Sequence, residues 1–62
     1  MKPDTFHIQL AFGVLESVGI SDPSSKELDV LARVYARWAW PKSDLMAKAV
    51  AKALQEKRTK EK

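Results

Sequence analysis

Leu28, Leu31, Ala32, Tyr35, Trp38 and Ala39 recur at i, i+3, i+4, i+7, i+10 and i+11. That spacing puts them on one apolar stripe of an α-helix. Lys26, Asp29, Arg33 and Arg37 occupy the other side, with Asp29 one turn before Arg33 and placed to pair with it. Pro41 disfavours helical backbone at Trp40, so the helix is expected to stop near Ala39. Ser43 then reads as an N-cap and Asp44 as a first-turn anion for a further helix. In that helix Leu45, Met46, Ala49, Val50, Ala53 and Leu54 form the expected inner side, flanked by Ala47 and Ala51. Asp44, Lys48, Lys52 and Gln55 form the outer stripe. Leu31, Tyr35, Leu45 and Val50 are accordingly expected to line the contact between the two helices.

The segment from Thr5 to Val18 carries two patterns at once. Phe6, Ile8, Leu10, Phe12 and Val14 alternate with His7, Gln9, Ala11 and Gly13 as a strand would, while Ile8, Phe12, Leu15 and Val18 recur at helical spacing. Val18-Gly19-Ile20 resolves the conflict toward a helix, because it reads as a helix end with Gly19 left-handed and Ile20 folding back on Leu15 or Val14. Asp4 or Thr5 would cap that helix. Gly13 inside it costs up to about 1 kcal/mol relative to alanine, which suggests close packing there. The second helix begins either at Asp22-Pro23 or through a capping box at Ser24-Ser25-Lys26-Glu27. These readings give an all-α domain of three helices, about 5–18, 24–39 and 43–57, with residues 1–57 as a single domain. The start, through Asp4, is expected to be loose. The basic run from Glu56, and residues 58–62 in particular, lacks an apolar anchor and is expected to fray. The alternative fold is an N-terminal β-strand followed by two helices.

At 62 residues the chain buries only roughly 60% of its unfolded surface, and it has no cysteine to supply a staple. Self-association or docking on a partner is therefore expected. Absent cysteine is compatible with the cytoplasm and removes thiol and zinc-finger chemistry. The longest apolar run, Leu10 to Leu15, is far short of the ~20 residues that span a bilayer, so no membrane partner is expected. Charge is uneven: residues 1–41 carry four cations and five anions, whereas residues 42–62 carry seven cations and three anions. A basic C-terminal part suits an anionic partner, or simply the negative pole of a helix dipole.

Catalytic signatures are missing from the sequence. His7 is the sole histidine, with no second ligand at metal spacing. Ser21, Ser24, Ser25 and Ser43 stand at caps and turns, and the two glycines form no phosphate loop. No enzyme activity, cofactor or small-molecule substrate is expected.

Two binding readings follow, a DNA-binding or DNA-associated regulatory protein as the leading one and a protein-interaction module as the alternative. The run Pro41-Lys42-Ser43-Asp44-Leu45-Met46-Ala47-Lys48-Ala49-Val50 is similar to the second helix of ribbon-helix-helix repressors. That resemblance implies a dimer whose helix start clamps a DNA phosphate. The chain departs from the family's order, since Phe6 to Leu10 is separated from Leu28 by a further apolar segment and a turn. As a helix-turn-helix, the third helix would offer mostly alanine and lysine, with few base-reading side chains. The DNA reading therefore rests on sequence-independent phosphate contact by Lys42, Ser43, Lys48, Lys52, Lys57 and Arg58. The second reading is a small helical inhibitor, adaptor or assembly subunit that docks on another protein. Trp38 lies on the core stripe and reads as structural. Trp40 lies beyond it, either as a lid over the helix ends or as an exposed anchor.

Overall fold

Two of the three helices begin at reciprocal capping boxes, which set where the chain turns. The computed structural model describes residues 4–60; the expectations for residues 1–3 and for the last two residues of the tail lie outside that range. Asp4 accepts a hydrogen bond from the His7 N–H at 3.1 Å, and His7 Nδ1 accepts one from the Asp4 N–H at 3.2 Å. This starts α1, Thr5–Ser17. Its exit follows the expected form: Ile20 N–H donates to the Leu15 carbonyl at 2.9 Å, with Gly19 at φ 96°. Ser24 and Glu27 form the second box, at 3.2 and 2.8 Å, and open α2, Ser25–Arg37. The third element, α3, spans Lys42–Lys60. The described chain is thus all-α, and no strand occurs among the described residues.

The core holds Val14, Leu15 and Ile20 from α1 and its exit, with Leu31, Ala32 and Tyr35 from α2. Leu15, Ile20 and Leu31 are its largest fully buried side chains. The α2 stripe therefore packs as its spacing predicts at Leu31, Ala32 and Tyr35. It ends sooner than expected, because Trp38 is already extended at ψ 144°.

Three expectations need correction. First, α3 turns a different face inward. Ser43, Ala47 and Ala51, at i, i+4 and i+8, are buried, with Val50 and Leu54 beside them, while Leu45 is 68% exposed and Ala49 and Ala53 face out. A row of small residues lets one helix approach its neighbours closely, and that proximity outweighs the size of the apolar side chains elsewhere on α3. Ser43 is consequently no cap: it lies inside the helix, 3% exposed, and its N–H donates to the Ala39 carbonyl at 3.0 Å. Second, a Cβ on Gly13 would meet nothing within 4 Å, so close packing does not explain that glycine. Third, α3 does not fray after residue 57 but continues to Lys60, because Arg58 reaches across to the start of α2.

Candidate docking site

The corner between α2 and α3 builds the most aromatic surface of the molecule. Trp38 leaves α2 in an extended conformation, and Trp40 follows just before Pro41. The first turns of α1 stand opposite, bringing Phe6, His7 and Leu10 against Trp38 and Trp40. Tyr35 and Ser43 complete an open cleft of about 440 Å³. Such a volume falls in the range of ligand pockets. Trp40 is 70% exposed and Phe6 63%, so Trp40 is not a lid. The Phe6 ring meets the His7 imidazole edge-on at 5.9 Å.

Two cations lie against one residue of the cleft, Trp38. Lys42 Nζ lies 4.7 Å from the centre of the Trp38 ring and Arg37 Cζ lies 5.5 Å from it. Both distances suit cation–π attraction. Beneath the cleft, Tyr35 Oη donates to Asp44 Oδ1 at 3.1 Å, and Asp44 Oδ2 pairs with Lys48 Nζ at 3.1 Å. Burial, followed by the hydrogen bond to the Asp44 carboxylate, pushes the Tyr35 hydroxyl up to about 12.

The residues expected to grip phosphate are not brought together on one surface. Ser43 is buried, and Lys42 is stacked on Trp38. Lys48 is paired with Asp44, while Lys52 one turn later is exposed. At 3.6 residues per turn Lys57 lies about 140° around the helix from Lys52. It lines a separate groove with Lys26, Glu27 and Arg58. Arg58 serves the fold: its Nε and Nη2 donate to the Glu27 carboxylate at 3.0 and 2.8 Å, and Nη1 donates to Asp22 Oδ1 at 3.2 Å. The Arg58 guanidinium holds the Glu27 carboxyl down at about 2, and Glu27 in turn raises Arg58.

Phe6 counts in the sequence among the aromatics able to supply a core or an anchor, but its place beside Trp40 is set by the fold, as are those of His7 and Leu10. A signal for Phe6 was present in the double pattern of the first segment: a helix with apolar residues at both periods has more of them than one buried face can hold. Phe6, Ile8 and Phe12 are the surplus, and all three are exposed. Among the described residues no group of histidine, cysteine or carboxylate side chains is arranged to hold a metal ion, and no helix is long and apolar enough to cross a membrane. No family model, curated protein or solved structure matches this chain.

Proposed function

We propose that the chain is a non-enzymatic docking module that binds another protein through the cleft between Phe6, Trp38 and Trp40. The observation that carries this reading is the exposure of Trp40 and Phe6 within the lining of one concave site. A small domain gains nothing in its own core from an aromatic ring left in water, whereas tryptophan is among the strongest anchors at protein interfaces. The surplus apolar flank of α1, Ile8 and Phe12, supports self-association as part of the same reading. We place its action in the cytoplasm, in keeping with a sequence free of cysteine.

A second reading, phosphate contact by α3, is supported by Lys48 and Lys52, which stand one turn apart on its outer face and are both exposed. Parallel measurements separate the two. A random peptide display library is panned on the folded domain, and random duplex DNA is titrated at several salt concentrations. Docking predicts recovered peptides whose binding falls at least about thirtyfold, a loss of about 2 kcal/mol or more, in Trp40→Ala, and is unchanged when Lys48 and Lys52 are both replaced by glutamine. Phosphate binding predicts the reverse: DNA affinity lost in the lysine double variant and kept in Trp40→Ala, with a salt slope lowered by up to about one unit per contact removed. Recovery of no Trp40-dependent peptide defeats the docking reading.

A further inference from the structure

We infer that the occupant of the aromatic cleft is an acidic protein segment, with an apolar anchor between Phe6 and Trp40 and carboxylates beside Arg37 and Lys42. The inference rests on the docking reading and adds the partner's chemistry. It is carried by how the charges near the cleft are satisfied. Asp44 is already shared by Tyr35 and Lys48, and Asp4 caps α1. Arg33, Lys48 and Arg58 each have a carboxylate within 4 Å. Arg37 and Lys42 have none among the described residues, and both instead lie against the ring of Trp38.

That placement matters because a cation resting on a ring keeps its N–H groups available. Guanidinium and ammonium donors can turn to a carboxylate without leaving the aromatic face, so ring and cations act on one ligand together. Trp38 lines the cleft and carries both cations against its ring, so a ligand seated in the cleft lies beside them. A carboxylate that accompanies the anchor can then pair with either cation at the rim. A basic segment would place like charge against Arg37 and Lys42, and a neutral one would leave both without a partner. Lys26 and Lys52, which also have no carboxylate partner among the described residues, border no comparable aromatic wall.

The test uses the peptides recovered from the random display library and the full chain. The expected result is that Trp40-dependent peptides are enriched in Asp and Glu flanking a Leu, Phe or Trp. Replacing Arg37 and Lys42 together by glutamine should weaken those peptides roughly threefold to tenfold and flatten their salt dependence, as two partly exposed ion pairs would. Library panning on that double variant should lose the acidic preference while Trp40-dependent binding persists. Both residues are exposed, and circular dichroism confirms that the variant is folded before it is used. Trp40-dependent peptides with no acidic excess would overturn the inference and leave the docking reading standing. Loss of all Trp40-dependent binding would remove both. Vesicles containing phosphatidylserine provide the remaining arm: tight, Trp40-dependent vesicle binding without acidic peptides would mean that the cleft takes a lipid surface instead, and the inference fails.

Discussion

The inner stripe of α2 and the inner row of α3 both face the centre of the molecule, yet they are built from opposite materials. On α2 the buried positions include Leu31 and Tyr35; on α3 they are Ser43, Ala47 and Ala51. The first supplies apolar area, at about 25 cal/mol for each Å² removed from water. The second supplies proximity, since small side chains let α3 settle against a surface made by the other two helices. The last apolar side chain of α3 that packs on the core is Leu54, so its final turns have no apolar contact of their own. That explains why α3 ends in an ion-pair clamp from Arg58, whereas α1 ends in an apolar fold-back of Ile20 on Leu15. Packing by proximity also explains how α3 can leave Leu45 in solvent.

The sharpest way to break this contrast is to truncate the large side of it. Leu31→Ala should cost about 2–5 kcal/mol in urea unfolding, enough to unfold much of so small a domain. Leu45→Ala should stay within about 0.5 kcal/mol. Equal losses would mean that both leucines are buried and that α3 turns the other way.

The small side is probed by enlarging it. Ala51→Leu adds apolar volume and keeps helix propensity, yet it should destabilise by about 1–3 kcal/mol because α3 can no longer approach its neighbours. A stabilised variant would show that the row has room to spare.

The clamp gives the contrast a pH signature. Glu27 is held at about 2 in the folded chain against an ordinary 4.5, so its contribution is complete above pH 4.5 and is lost as pH falls toward 2. Melting temperature should drop across that window, and Arg58→Ala should lower it by a few degrees at neutral pH and flatten the acid limb. Removing residues 56–62 takes Arg58 away and should act in the same direction. Tyr35 works at the other extreme. Raised from 10 to about 12, it stabilises below pH 10 and loses that contribution as pH rises toward 12. Tyr35→Phe should flatten the alkaline limb.

The smallest effect is a gain. A methyl group at Gly13 meets nothing and sits within α1, so Gly13→Ala should raise stability by about 0.5–1 kcal/mol. A loss would reveal a neighbour of Gly13 in solution, such as a second copy against α1.

Much of the fold was legible wherever local chemistry decides the outcome. Asp4, Ser24 with Glu27, and Gly19 mark their boundaries through hydrogen bonds made within a few residues, and those signals do not depend on the rest of the chain. The α2 stripe was legible because its apolar and charged sides are cleanly divided. On α3 the reading failed because alanine is ambiguous. It favours a helix on any face, so periodicity alone placed Leu45 inside, where size argued for it. Only the presence of α1 and α2 selects the row of Ser43, Ala47 and Ala51. Arg58 escaped for a related reason. Its partners Asp22 and Glu27 lie more than thirty residues away, and nothing in a basic terminal run distinguishes the one cation that is tied to the fold. Trp40 could be named as an anchor from its place before Pro41, whereas Phe6, one aromatic among several, was paired with it only once α1 was set beside that corner.

The two tryptophans also give the molecule a pair of built-in optical reporters. Trp40 is largely in water, and Trp38 is half-buried with Arg37 and Lys42 against its ring. Iodide, drawn by the two cations, should quench Trp38 more than its burial alone would allow, while caesium, repelled by them, should quench mainly Trp40. Emission from the intact chain can thus be separated into two components that watch the same cleft, one from its exposed ring and one from the ring beside the cations. No label needs to be added to a domain that has so little surface to lend.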